Sequence, residues 1–581
     1  MGRSRQHRPQ PDRQGHLRQP VQRRQGPHQA QRRRLGHRNP CGKNGSRAAK
    51  AGRLAQENTR LRDNHQRDPR HPQKPRLRPV HPLTGRPHRR RHRNPRSLTM
   101  NRLDYSTLFI ARFTLEAATA LSISTGNPDG VFDTALVRDA NGLPALPGSS
   151  LAGVLRHLWI ETHGDDESAA NDLFGYQQGK KGEASRLQVS WGALLDSDGQ
   201  PAEGLITDPQ RLEDDLYKAV LDQQDTPVYR DRVRLTHRGA AADKAKFDRA
   251  ILPAGHRFAA ELKLWADSPE AGQADWDALL RLLRHPAFRL GGNTRAGLGK
   301  MRLIELHQGC FDLGKPEQRQ QYTQLGRGLA DTQTLEKTDI APPSASDWLS
   351  GQLNLTAQGP WRIGQGTETL RGDNGDKPAD LLPKTEECIV WKNGKGQRQL
   401  KMPLVPASSI KGALAHRIAF HYRRHAGLWN TEAATLDNQR PEALHPLLGW
   451  IKDSSDGIET GRAGALILDD ISITLDKTQV IHLMHNAIDR FTGGVRNRML
   501  FDEESLLGGQ LTIPIALKKS ALDNTAPEVR QAFADALDDL CQGRLAIGSK
   551  TSVGNGFFTG QLTGPLADWL NQTNNTEKEA A

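Results

Sequence analysis

The stretch LPALPGSSLAG, residues 143–153, returns as MPLVPASSIKG, residues 402–412, and this repeat decides the fold. The prolines hold the approach extended, because a residue that precedes proline avoids the helical region. Ser149 and Ser408 then stand where a helix N-cap is favoured, directly before apolar residues at helical spacing. Each stretch therefore predicts an extended segment that leads into a helix.

Four further blocks occur twice, in the same order and at nearly equal spacing. They pair LFGY (173–176) with LLGW (447–450), ASRLQVS (184–190) with AGALILD (463–469), VRLT to LPAG (233–255) with DRFT to LLGG (489–509), and GGNTRAGLG (291–299) with GSKTSVGNG (548–556). One shared motif could arise by chance, whereas five in register indicate a duplicated domain.

Each copy predicts a mixed α+β fold, since it opens on a strand and continues through a helix. The opening strands, at residues 107–116 and 351–357, alternate apolar and polar side chains, more cleanly in the second copy. The predicted divisions are a basic low-complexity segment, a first domain, a linker, a second domain and a polar tail, at residues 1–99, 100–310, 311–349, 350–565 and 566–581.

The basic charge of the chain belongs to its first segment alone. Residues 1–99 hold 28 of the 81 Lys and Arg but only 4 of the 66 Asp and Glu, so the remainder carries a net charge of −9. This segment has no Phe, Trp or Tyr and cannot offset the entropy of ordering. It is either a disordered arm or an upstream extension that results from a misassigned start, with Met100 as the true first residue.

The remaining composition excludes several classes of protein. The four cysteines (Cys41, Cys310, Cys388 and Cys541) lack metal-binding or disulfide-framework spacing. No apolar run is long enough to span a bilayer, and no signal peptide is present, so we expect a cytoplasmic protein without a membrane partner.

The repeated motifs are suited to binding phosphate. The backbone N–H groups of a helix start form an anion site, and glycine-rich turns let the main chain approach a phosphate closely. Lys411, Arg295 and Lys550 stand next to these motifs. Such a domain can hold a phosphodiester backbone without reading its bases.

The helix-start block 146–156, the stretch 489–494 and the two glycine-rich loops together resemble the RAMP superfamily of CRISPR-associated proteins, and within it the repeating backbone subunit of type III effector complexes. The resemblance implies two tandem ferredoxin-like (RRM-type) domains, each with a β-hairpin thumb, near 234–255 and 490–509. It also implies CRISPR RNA (crRNA) and target RNA as ligands. The implied protein partners are further RAMP proteins, a large polymerase-like subunit and a small subunit.

The RNA-binding residues predicted from the motifs and the resemblance fall in both copies. They are Ser149, Ser150, Arg156, Arg234, Gly291, Arg295 and Gly297 in the first, and Ser408, Ser409, Lys411, Arg490, Lys550 and Gly554 in the second.

In this family an aspartate upstream of the helix start cuts target RNA with a divalent metal, Mg²⁺ or Mn²⁺. Asp133 is the best match, as catalytic residue and metal ligand, with Asp129 and Asp139 as alternatives. In the second copy the same spacing places Glu386, and Asp380 lies upstream. Because glutamate is longer and would shift the carboxylate, cleavage by the second copy is uncertain on the sequence alone.

Two other functions are compatible with the sequence. One is a non-catalytic RNA-binding scaffold, and the other is a crRNA-processing endoribonuclease built on the histidines of a basic helix, His416, His421 and His425. These histidines could also hold a metal, although a basic face toward RNA or solvent is the plainer interpretation.

Overall fold

The computed structural model describes residues 105–126, 135–164, 166–223, 227–236, 239–343, 347–364, 366–371, 378–428, 440–450 and 461–580. The basic segment 1–99 and the candidates Asp129 and Asp133 lie outside these residues. Among the helices described, none is both long enough and apolar enough to cross a membrane.

The first copy combines short helices with an antiparallel sheet. In chain order it holds β1 (Thr107–Ala117), α1 (Gly148–Thr162), α2 (Ser168–Phe174), β2 (Tyr176–Gln178), β3 (Lys181–Glu183), β4 (Leu187–Val189), β5 (Ala193–Leu194), α3 (Pro209–Leu212), α4 (Asp215–Asp222), β6 (Arg232–Leu235), β7 (Ala241–Phe247), β8 (Arg257–Ala266), α5 (Pro269–Arg281), β9 (Met301–Asp312), α6 (Pro316–Gln324) and β10 (Glu336–Lys337).

The second copy repeats this plan. It holds β11 (Trp348–Ala357), β12 (Pro360–Trp361), β13 (Thr385–Lys392), β14 (Lys395–Val405), α7 (Ala407–His425), α8 (His445–Leu448), β15 (Leu466–Leu468), β16 (Ile471–Ser472), β17 (Val480–His485), β18 (Phe501–Leu507), β19 (Gln510–Lys518), α9 (Ser520–Asp523), α10 (Pro527–Cys541), β20 (Phe558–Thr563) and α11 (Pro565–Ala580).

The two main sheets have the same strand order, which confirms the duplication. In the first copy the central strands run β9-β1-β8-β4, and in the second they run β20-β11-β19-β15. All these neighbours are antiparallel. In both copies a long helix follows the first strand and another precedes the last, so the α+β class predicted from the sequence is confirmed.

A β-hairpin is inserted ahead of the third central strand in each copy. This hairpin is β6–β7 in the first copy and β17–β18 in the second. We call these the first thumb and the second thumb. The first hairpin overlaps the stretch 234–255 that the resemblance indicates, whereas only strand β18 of the second hairpin lies within 490–509. Their role as thumbs stays a prediction.

Both helix starts begin before the predicted N-cap serines. Helix α1 begins at Gly148 and α7 at Ala407, each directly after an extended proline, so Ser149 and Ser408 lie inside the first turn. Neither helix has a side-chain N-cap hydrogen bond. Proline has a fixed φ that suits a helix entrance, and this places the boundary before the serine.

The segment that connects the copies packs onto the first sheet. Strand β10 pairs with β9, and Leu335 joins Leu108, Ile110 and Phe311 in a small core. This covers the outer face of β1 and explains why β1 is buried on both faces, whereas β11 alternates between buried and more exposed residues. The clean alternation at 351–357 in the sequence has the same cause.

The glycine-rich loops repeat residue by residue. Gly291, Asn293, Gly297 and Gly299 have positive φ, as do Gly548, Lys550, Gly554 and Gly556 at the same spacing. A Cβ on Gly291 would also collide with the carbonyl oxygen of Ser122. Both the positive φ and this close contact therefore require glycine at this position.

The substitution Gly291→Ala is therefore expected to lower the free energy of unfolding by about 1–3 kcal/mol, because it adds a backbone clash to left-handed strain. The control Gly153→Ala should raise it by about 0.5–1 kcal/mol, since a Cβ there meets nothing within 4 Å on an exposed helix surface. Denaturant titration of both variants measures the difference. Equal effects of the two substitutions would contradict this account of the loop.

Candidate nucleic-acid interface

A groove of about 770 Å³ lies at the junction of the two copies. Three features form its walls: the first thumb, the start of α7 and the glycine-rich loop of the second copy. The groove is lined by side chains that include Arg232, Arg234 and Phe247 from the thumb, Ser408, Ser409, Lys411, His416 and Arg423 from α7, and Ser549 and Thr551 from the loop. Motifs that the sequence places far apart thus meet across the boundary between the copies.

The thumb contributes cations and exposed apolar groups to the groove. Arg234 is exposed, and Val233, Leu235 and Phe247 are each about half exposed. Arg232 is more enclosed and donates to the carbonyl oxygen of Ala296 at 3.1 Å, while burial lowers its pKa to about 10. An exposed ring beside guanidinium groups is a surface on which bases can stack while phosphates are neutralised.

The start of α7 is anchored by an aspartate from its own copy. The Asp470 carboxylate accepts the backbone N–H of Ala407 at 2.7 Å, and so takes one of the amides that an anion could use. Ser408 and Ser409 follow in the first turn and line the groove. The Ser409 amide already donates to the carbonyl oxygen of Pro406 at 3.0 Å, so this helix end offers a phosphate the two serine hydroxyls.

Lys411 links the copies at the floor of the groove. Its ammonium donates to the carbonyl oxygens of Arg295, at 2.8 Å, and Leu466, at 2.6 Å. Burial, together with the nearby Arg295, Arg440 and Arg232, lowers the pKa of Lys411 to about 7. A phosphate in the groove would favour the charged form of this lysine.

The predicted residues of the first copy divide between surface and junction. Ser149 is exposed, and Arg156 donates to Asn171 at 3.2 Å. Arg295 instead lies over the Trp348 ring, 5.1 Å from its centre, and burial lowers its pKa to about 10. A Cβ on Gly297 would collide with Asp470 and Ala407. The loop of the first copy therefore packs against the second copy.

Lys550 and Arg490 do not line the groove. Lys550 makes an ion pair with Glu503 at 3.1 Å and lies over the Phe501 ring. Arg490 is exposed on the second thumb, next to Phe491, which is 92% exposed. The second thumb presents these groups at its tip, as the first thumb presents Arg234 to the groove.

Glu386 is held in a buried ion pair between the copies. Its two carboxylate oxygens accept from Nε and Nη2 of Arg230 at 2.8 and 2.9 Å, and Arg230 also pairs with Asp470. The side chains of Arg230, Glu386 and Asp470 are all less than a tenth exposed. This environment favours a structural role for Glu386.

The other described acid candidates accept hydrogen bonds from backbone amides. Asp139 accepts the N–H groups of Asn141 and Leu143 at 2.8 and 2.9 Å, which closes a turn. Asp380 and Asp502 each accept the other's backbone N–H.

Sequence reasoning missed three groove or junction residues that matter here: Arg230, Arg232 and Asp470. The alternation in Arg232-Val233-Arg234 is a strand signal that could have placed Arg232 beside Arg234. Arg230 and Asp470 lie 240 residues apart and carry no local signal.

Comparison with known proteins identifies a family for this chain, and it also finds similar chains among solved structures. A family model described as "RAMPs: RAMP superfamily" matches residues 114–302 and 354–559, one region in each copy. No curated protein matches the chain. A chain in a solved structure described as "Type III-B Cmr-beta Cryo-EM structure of the Apo state" is 13% identical, with a TM-score of 0.25, over 34% of this chain and 97% of that one. This likeness is too weak to support an argument.

Proposed function

Because the chain belongs to the RAMP superfamily over both copies, we propose that it is a crRNA-binding backbone subunit of a type III CRISPR–Cas RNA-targeting effector complex. The observation that carries the proposal is the groove, in which a thumb, a helix start and a glycine-rich loop meet. We assign each copy a ferredoxin-like (RRM-type) core. The shared strand order and the helix positions support this assignment.

The groove is suited to an RNA backbone held by several contacts of different kinds. The hydroxyls of Ser408, Ser409 and Thr551 can donate to phosphate oxygens, and Arg234 and Arg423 can neutralise them. Phe247 offers a face for base stacking. None of these contacts reads a base sequence, as a subunit that accepts many guides requires.

Target RNA and the other effector subunits are the further partners in this proposal. Residues 100–581 carry a net charge of −9, so RNA binding must come from local placement of cations in the groove. The exposed Arg490 and Phe491 of the second thumb support the proposal that it completes a similar groove on a neighbouring RAMP domain.

We further propose that target RNA is cleaved at the first copy only, with Asp133 as the cleaving residue and Mg²⁺ or Mn²⁺ as its cofactor. Asp133 lies outside the described residues, so this part rests on the family resemblance. The buried pair between Glu386 and Arg230 favours a second copy that binds RNA without cutting it.

The double substitution Arg234→Glu with Arg423→Glu tests the groove. We expect it to weaken binding of a labelled single-stranded RNA to the purified chain by ~10-fold or more, because two phosphate contacts become repulsive. The slope of log affinity against log salt should fall by about 1.4, from the loss of two contacts on a single strand. Fluorescence anisotropy over a series of salt concentrations measures both quantities.

The matched control reverses the charge of Arg281, which is exposed on α5 and does not line the groove. Arg281→Glu should leave RNA affinity within about twofold of wild type, because it alters only net charge. Equal weakening by Arg281→Glu would show that the groove has no special role. Cleavage of precursor repeat RNA by the purified chain alone would instead favour the processing-nuclease alternative.

A further inference from the structure

Two helices of the second copy bring a histidine pair and an aspartate pair together. His421 and His425 lie one turn apart on α7, and Asp535 and Asp539 lie one turn apart on α10, which packs beside it. Nε2 of His425 is 2.7 Å from Oδ2 of Asp535, and Nδ1 of His421 is 3.5 Å from the same oxygen. The groove described above does not include these four residues.

His421 is the residue that distinguishes this cluster from a surface ion pair. It is 4% exposed, and its Nδ1 makes no hydrogen bond to any described residue. An unpaired polar atom buried in this way costs free energy unless something binds it. The atom faces Asp535 and the imidazole of His425, so the missing partner must fit between nitrogen and oxygen ligands.

Asp539 prepares His421 to act as a ligand. Its carboxylate lies 2.7 Å from Nε2 of His421, which places the imidazole proton on Nε2 and leaves the lone pair on Nδ1. Asp539 is itself held by Arg417 and by Arg544, the latter at 2.7 Å. A carboxylate that orients a histidine from behind is the usual outer partner of a metal-binding histidine.

We propose that Nδ1 of His421, Nε2 of His425 and a carboxylate oxygen of Asp535 bind a divalent transition-metal ion of the zinc class. The three ligand atoms lie within 4.8 Å of one another, so small side-chain rotations bring each to the ~2.0–2.2 Å that zinc requires. Two imidazoles exclude a site built for Mg²⁺ or Ca²⁺, which prefer oxygen ligands. A water molecule can complete the tetrahedron, because the side chains of His425 and Asp535 are 16% and 36% exposed.

The site joins two helices and is not part of the proposed RNA chemistry. Helix α7 presents Ser408, Ser409 and His416 to the groove, and His421 and His425 contact α10. A bound ion would fix the RNA-facing helix to the core of its own copy. This inference therefore stands or falls independently of the proposed function.

Metal retention by the full-length chain tests the proposal. The protein is stripped with a chelator, loaded with Zn²⁺, desalted and analysed for metal, and a parallel sample is titrated with Co²⁺ and followed by its visible absorption. We expect about one zinc per chain, a tetrahedral Co²⁺ spectrum, and a midpoint of thermal unfolding that rises when Zn²⁺ is added. Asp535→Asn and His425→Gln should each lower the affinity for Zn²⁺ by ~10-fold or more.

The control is His482→Ala, which removes a histidine that pairs with Asp502 at 2.6 Å elsewhere in the second copy. It should retain zinc as wild type does. Circular dichroism of the metal-free variants shows that lost retention does not reflect unfolding, and Asp535→Asn keeps the shape of the side chain it replaces. The proposal is overturned if wild type retains no zinc, if both ligand variants retain it fully, or if the control loses it equally.

Discussion

Replacement of Arg230 by alanine is expected to lower the free energy of unfolding by about 3–5 kcal/mol, the largest stability effect that we predict for a single substitution. Arg230 is buried at the junction of the copies and pairs with both Glu386 and Asp470. Its removal leaves two carboxylates without a counter-ion in a place that water reaches poorly. Asp470 also accepts the first backbone N–H of α7, so the substitution should also disturb the helix start that lines the groove.

Urea denaturation of the Arg230→Ala chain, followed by circular dichroism, measures this effect. The matched control is Lys246→Ala, which breaks an exposed pair with Asp231 at 3.4 Å on the same thumb. This control should change stability by less than about 0.5 kcal/mol, since exposed ion pairs contribute little. If Arg230→Ala costs no more than the control, the junction does not depend on this ion pair.

The second large effect is on cleavage of target RNA. In a reconstituted effector complex, Asp133→Asn is expected to slow cleavage by ~100-fold or more while the complex still binds crRNA. The amide has nearly the same shape as the carboxylate but cannot serve as an anionic ligand or accept a proton. Labelled target RNA, incubated with Mg²⁺ or Mn²⁺ and resolved by gel, gives the rate of each cut.

Two further variants decide between the acid candidates. Asp129→Asn should leave cleavage unchanged, because we assign the cut to Asp133, four residues further along the sequence. The assignment to Asp133 fails if Asp129→Asn abolishes cutting and Asp133→Asn does not. Loss of all cutting in Glu386→Ala would show that the second copy is the active one, provided that Asp133 is intact and circular dichroism shows the variant to be folded.

Local sequence patterns predicted the duplication and the main elements of each copy. The positive φ values at Gly291 and Gly297 recur at Gly548 and Gly554, so the aligned blocks correspond to equivalent backbone positions. The linker was harder to interpret, because its few apolar residues, such as Leu335, stand isolated among polar ones. Their partners come from β1 and β9, and a local window does not contain them.

The candidate site was predictable as a set of motifs but not as an arrangement. Ser408, Ser409 and Arg234 line the groove, and their binding of RNA stays a prediction. Gly297 aligns with Gly554 and Arg295 with Ser552. Arg295 and Gly297 pack in the junction, because only the first copy has a second copy beside its loop. The ion pair of Glu386 was also not predictable from local sequence, because its partner Arg230 lies 156 residues away.

The folded connection between the copies has a consequence for assembly. Because β10 pairs with β9 and the second copy opens soon after it, at Trp348, the first thumb and α7 meet as parts of one molecule. Their effective concentration is set by the tether and does not fall when the protein is diluted. If the groove binds RNA as we propose, one encounter with this chain is sufficient, whereas two separate subunits would first have to associate.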